Sequence, residues 1–181
     1  VQEMPGVADV VIREVPQPWI DDVSVAVAAT SPDAAVVVLP EFFERGIAVF
    51  PAYLTPVVKT LRADGIGASF LNGERGRTFR STFSAEPAAI FVGIMLNMLS
   101  NGLYDAVKVT FQLLRLRLAE MRNPAGADTT TLRMALPRNA DGTGLLWQEI
   151  IGPSDKVLAY AEAAARRHLS AAGTSAPKPE N

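Results

Sequence analysis

The chain has 181 residues, 49% of them hydrophobic and 20% charged, with a formal net charge of −2, one histidine and no cysteine. That length fits one domain with a buried core, the composition argues against global disorder, and the near-neutral charge argues against a protein built to hold nucleic acid. Without cysteine there is no disulfide, thiolate nucleophile or cysteine-ligated metal, and one histidine removes any multi-histidine metal site. No metal or other cofactor is expected, which leaves carboxylates, hydroxyls, Lys, Arg, Tyr and His168 as the chemical vocabulary.

The first residues, VQEMPGVADVV, lack a basic segment ahead of a long apolar run. No secretory signal is expected from them, and the cytoplasm is the default location. Ala8–Pro16 alternates and is rich in β-branched residues, which predicts a first strand. In Pro18–Thr30, Trp19, Ile20, Val23 and Val27 fall on one helical face and Pro18 suits a first helical turn. Val23, Val25 and Val27 also fit a strand, but helix is favoured. Asp33–Pro40 is an uninterrupted apolar run ending at proline, the pattern of a strand covered on both faces. Two strands around a helix predict a parallel βαβ unit.

Thr55, Pro56 and Gly65 punctuate a short helix. Ile66–Phe83 reads as a hairpin turning near Asn72-Gly73, the dipeptide favoured in tight turns. Ser84, Glu86 and Pro87 then open a long helix expected to run to Arg122. Thr129–Gly152 reads as a second hairpin with its loop around Asp141-Gly142. Ser154 starts a last helix with Val157, Leu158, Ala161, Ala165 and Leu169 on one face. From Ala171 the chain becomes small, polar and proline-bearing. The organisation expected is a single α/β domain over residues 1–170 and a disordered tail over 171–181. Its sheet is mixed, with about five or six strands, a long and mostly buried central helix and a C-terminal helix.

The long helix carries the least polar stretch of the chain, Ile90–Lys108. At 100° per residue Asn97, Asn101, Asp105, Lys108, Gln112 and Arg115 form one polar stripe headed by Gly93. Ile90, Phe91, Ile94, Met95, Met98, Leu99, Leu103, Val107, Phe111 and Leu114 fill the rest. Asp105 and Lys108 are spaced to pair. A membrane span needs roughly 20 mostly apolar residues, and Asn97 interrupts this run too early. A core helix with one wet line is favoured, ahead of an interface for a partner or a second copy. The segment GIMLNMLSNGLYDAVK, through Asn101, Tyr104, Asp105 and Lys108, resembles a helix of small bacterial conflict-system and effector-associated helper proteins. The resemblance covers about one helix and implies a non-enzymatic accessory module coupling an effector to a sensor.

Among residues that carry chemistry, Ala34–Gly46 resembles the segment of nitrilase-type amidohydrolases in which a strand ends in Pro-Glu and the Glu acts as base. Glu41 would be that base, but such chemistry needs a cysteine nucleophile that this chain lacks. A solvated loop tied to the core by Phe42 and Phe43 is favoured instead. Arg75, Arg77 and Arg80 lie within six residues among Phe79 and Phe83. In a strand Arg75, Arg77 and Phe79 share a face and Arg80 points away. Such a cluster can hold phosphate or carboxylate, or guard a sheet edge against aggregation. His168, on the apolar side of the last helix, reads as a packing or helix-end residue.

The first-ranked function is a non-enzymatic interaction or regulatory module of a bacterial multi-component system. It would act through the apolar central helix and its residues Asn97, Asn101, Tyr104, Asp105 and Lys108, on a protein partner or another copy. The alternatives are a small-anion or nucleotide-binding domain using Arg75, Arg77 and Arg80, and a membrane-acting effector whose long helix inserts.

Overall fold

A computed structural model describes residues 9–81, 90–97, 103–121, 129–138 and 144–173. In chain order they form β1 (Val11–Arg13), α1 (Gln17–Thr30), β2 (Val36–Val38), β3 (Phe42–Glu44) and β4 (Ile47–Pro51). A single 3-10 turn (Ala52–Leu54) leads into α2 (Thr55–Ala63), β5 (Ala68–Phe70), β6 (Arg77–Arg80) and β7 (Ile90–Leu96). Then come α3 (Leu103–Glu120), β8 (Thr129–Pro137), β9 (Leu145–Pro153) and α4 (Ser154–Gly173). The fold is α/β, with a mixed six-stranded sheet in the order β1-β9-β8-β7-β2-β5 and a second sheet in the order β3-β4-β6.

The six-stranded sheet is built on runs that are apolar on both faces. Val36–Val38 and Ile90–Leu96 are buried at every position, as expected of strands with cover above and below. Register pairs such as Val92↔Leu132 and Leu132↔Ile150 place Val92, Ile94, Leu132, Met134 and Ile150 on one face. On that face Val36, Val38, Val92 and Ile94 share one small interior space with Val57 and Leu61 of α2 and Leu114 of α3, while α4 packs on β8, β9 and α3. The opposite face carries Phe91, Arg133, Trp147 and Glu149, covered in part by Trp19 of α1. The parallel neighbours β7 and β8 are joined through α3, and β2 and β5 through a stretch containing α2. These are the crossovers that parallel pairing demands.

Four expectations are corrected. The long helix does not exist as expected: Ile90–Leu96 is the central strand β7, and the helix begins at Leu103. Residues 84–89, 98–102 and 122–128, which include its expected cap, Asn101-Gly102 and its expected terminator, lie outside the described residues. A strand with two covered faces buries all six side chains of this run, where a helix under one layer leaves an outer side exposed. At about 1.5–3 kcal/mol for each fully buried large apolar side chain, burial favours the strand. Second, β1 does not pair with β2; it is an exposed edge strand, antiparallel to β9, while β2 has β7 and β5 on its two sides.

Third, the hairpin expected over Ile66–Phe83 is not formed: β5 joins β2 in the large sheet and β6 joins β4 in the small one. The tight turn nearby centres on Glu74-Arg75, closed by Gly73 and Gly76, whose N–H groups each donate to the other's carbonyl at 3.0 Å. Fourth, α4 continues to Gly173, so the first residues of the expected tail are helical, and residues 174–181 lie outside the described ones. The strand over Asp33–Pro40, the helices at Pro18, Thr55 and Ser154 and the β8–β9 hairpin all form. Among the described residues no helix is long and apolar enough to cross a membrane.

Candidate functional site

The small sheet starts from a two-residue turn. Arg45 and Gly46 both have positive φ, 50° and 82°, the conformation of a type I′ hairpin, whose twist suits the flanking strands. It joins β3 to β4 through the Glu44↔Ile47 pair. The Gly73–Gly76 turn stacks directly on it: Arg75 N–H donates to the Gly46 carbonyl at 3.0 Å. A Cβ on Gly73 would lie 2.4 Å from the same oxygen, so this approach requires glycine. Beyond the turn β6 runs parallel to β4, pairing Ala48↔Arg77 and Phe50↔Phe79.

Register divides the side chains between two faces. On one, Phe79 stands 5.8 Å from Phe50 and 5.0 Å from Phe70, ring centre to ring centre. Arg77 lies over Phe70 at 5.6 Å and donates to Asn72 Oδ1 at 3.2 Å. On the other face Arg80 makes a two-pronged ion pair with Glu41, 3.1 and 2.6 Å, and lies 5.2 Å from the centre of the Phe42 ring. Phe42 and Phe79 nevertheless stay 37% and 41% exposed, and every residue of β6 is exposed.

The three arginines therefore do not converge. Arg77 and Arg80 point to opposite faces, as alternation predicts, and Arg75 sits in the turn ahead of β6. Glu41 answers the charge of Arg80, so its carboxylate is a structural partner. Phe43 packs against the core as expected of it, and Phe42 stays out. Asn97 follows β7: its N–H donates to the Ala35 carbonyl and its side-chain amide to the Pro32 carbonyl, 3.0 and 3.1 Å. Asn101 lies outside the described residues. Tyr104, Asp105 and Lys108 occupy the exposed side of α3, with Gln112 exposed in the same stripe. Asp105 and Lys108 make no ion pair among the described residues; Tyr104 instead stacks under Arg166, 5.3 Å away. Arg166 and Arg115 together clamp Glu162.

Other polar groups are similarly engaged. His168 Nε2 donates to the Pro137 carbonyl, which fixes its tautomer. Arg133 pairs with Glu149 at 2.7 Å between the rings of Trp19 and Phe91. Burial pushes the Tyr53 phenol well above its usual range, against the lowering effect of its hydrogen bond to Phe91. An open cleft of about 630 Å³ lies where α2 ends and α3 begins, with Asp33, Arg62, Ser69 and Asp105 along it. Arg62 is held there by the Ala68 carbonyl, 2.7 Å from its Nε. Among the described residues no cluster of three or more His, Asp or Glu side chains is placed to hold a metal ion.

Sequence reasoning missed β3 and β4, although Arg45-Gly46 between FFE and IAVF was their signal. It also missed the exposure of Phe42, and the Arg133–Glu149 pair, whose partners sit in separate strands. Comparison of the chain with protein-family models, curated proteins and solved structures returns no match.

Proposed function

We propose that the protein is a non-enzymatic module that binds another protein through the β3–β4–β6 sheet. The observation that carries this reading is the concentration of two exposed aromatic rings, Phe42 and Phe79, with Arg77 and Arg80 on one small, outlying sheet and Arg75 in the turn that leads into it. Aromatic and arginine side chains supply most of the energy at protein interfaces. Here their conformations are set in advance, Phe79 by Phe50 and Phe70, Arg77 by Asn72, and Arg80 by Glu41. Binding then forfeits less side-chain freedom than it would with mobile groups.

The candidates for chemistry support the same reading, since Glu41, Tyr53 and His168 are each tied to a structural partner. An accessory module is also what the resemblance of the segment through Tyr104, Asp105 and Lys108 implies. The working surface moves, however, from the apolar segment at Ile90, which is interior strand, to the outlying sheet. Photo-crosslinking in the protein's own cells tests it, with benzoylphenylalanine at position 79 and, as control, at position 25, where Val25 is exposed on α1. A discrete protein adduct from position 79 alone supports the reading. No adduct, or the same adducts from both positions, overturns it.

A further inference from the structure

Resting on that reading, we infer that the partner contributes an extended, acidic segment that adds as a strand to the outer edge of β6. Among the described residues β6 has β4 on one side and no strand on the other. The phase of its ladder is set by the Ala48 N–H, which donates to the Gly76 carbonyl at 3.0 Å. In a parallel pair the peptide groups of Gly76, Thr78 and Arg80 then turn to β4, and those of Arg77 and Phe79 turn away. The outward N–H and C=O groups of Arg77 and Phe79 make no hydrogen bond with any described residue. They are spaced as the template on which an added strand docks, with main-chain bonds for affinity and alternate side chains for specificity.

The side chains state what that strand carries. From Arg75 to Arg80 the sequence RGRTFR holds three guanidinium groups and no carboxylate. Glu41 meets Arg80 from across β4, which leaves Arg75 and Arg77 without an acidic partner among the described residues. Like charges opposed on adjacent strands are destabilising, so this edge repels a second copy of itself and favours a strand of opposite charge. Arg77 and Phe79 share a face, two residues apart. The complementary strand places a carboxylate beside Arg77 and, two residues along, an apolar side chain beside Phe79.

The probe is the peptide acetyl-Thr-Glu-Thr-Val-Thr-Glu-Thr-amide, which presents Glu, Val and Glu on one face, titrated into the full chain by calorimetry at low salt. Binding is expected, weakened at least about tenfold by Arg77→Glu at unchanged Tm, with Arg77→Lys intermediate. N-methylation of the peptide's alternate amides abolishes binding without altering the protein, so this arm does not depend on any variant folding. Undiminished binding of the N-methylated peptide, equal binding of a peptide with Lys in place of Glu, or no binding at about 1 mM peptide overturns the proposal. Binding of oligouridylate in place of the peptide assigns the edge to single-stranded RNA and overturns it too. A position-79 adduct that persists when the peptide arms fail leaves the module reading standing without strand addition; loss of both removes both.

Discussion

The Tyr53 hydroxyl is bound to both backbone groups of one residue, accepting from Phe91 N–H at 2.8 Å and donating to the Phe91 carbonyl at 2.6 Å. The reason lies in β2, which pairs with β7 through Val38↔Ile94, reaches the Gly93 carbonyl with Leu39 N–H, and then leaves the sheet at Pro40. Phe91, two residues beyond Gly93, faces the same side with no strand beside it among the described residues. One phenol completes the ladder there.

Tyr53→Phe keeps the ring and removes both bonds, leaving a buried donor and a buried acceptor unpaired. A loss of about 1–3 kcal/mol is expected, read as a lower midpoint in urea unfolding at unchanged slope. A midpoint equal to that of the native chain would show that the hydroxyl is not what satisfies Phe91.

The same phenol gives stability a pH dependence. Its folded pKa is raised above the ordinary value of 10.0, by burial first. The unfolded chain therefore binds fewer protons than the native one above about pH 10, and stability is full below that pH and falls above it. The slope expected from this one group grows from near zero at about pH 9 toward a limit of about 1.4 kcal/mol per pH unit above about pH 11. Urea titrations between pH 9 and 11 should show it in the native chain, and Tyr53→Phe should remove that share of the slope.

Much of the architecture was legible wherever burial is one-sided or punctuation is strong. Pro18, Thr55-Pro56, Ser154 and the proline after Val38 each marked a real element. Ile90–Leu96 was misread because a strand buried on both faces shows no alternation, and Asn97 happened to fall in helical phase with Asp105 and Lys108. From Asp105 onward the polar stripe was read correctly, as the exposure of Lys108 and Gln112 shows. The candidate site was half visible. RGRTFR announced exposed arginines and their split between faces, but their partners Glu41 and Phe42 come from a hairpin and Phe70 from another sheet. Those pairings are long-range facts of topology that no local pattern states.

Gly93 tests the placement of β7 directly. A Cβ there would sit 2.7 Å from the Leu39 carbonyl oxygen and 2.9 Å from its Cβ, with backbone on the nearer side and little freedom to yield. Gly93→Ala should destabilise by about 1–3 kcal/mol or more through overpacking. In a helix the same substitution would stabilise by about 1 kcal/mol. The sign of the change in Tm decides between the two placements.

Arg133 and Glu149 are a pair whose worth depends on both members being present. Their side chains are 17% and 9% exposed, on neighbouring strands in direct register. Arg133→Met leaves the Glu149 carboxylate buried without its cation, and about 3–5 kcal/mol of stability should be lost. Adding Glu149→Leu removes the stranded charge, so the double variant should recover most of that loss. A double variant as unstable as the single would place the cost in packing against Trp19 and Phe91, which Arg133 also touches.

Arg45 offers the opposite case, a position where the native residue is not the best one. It holds φ at 50°, a left-handed conformation that costs an ordinary side chain roughly 1–2 kcal/mol. The turn nevertheless forms, because Gly46 supplies the second positive φ and the turn is clamped from outside by Arg75 N–H on the Gly46 carbonyl. Asn enters the left-handed region more readily, and Asn-Gly is the favoured pair for this turn. Arg45→Asn should therefore raise stability by about 0.5–1 kcal/mol, seen as a higher Tm. Arg45 is also outside the RGRTFR edge, so peptide binding at β6 should survive the change. A variant that gains stability but loses the peptide would mean that Arg45 itself belongs to the binding surface.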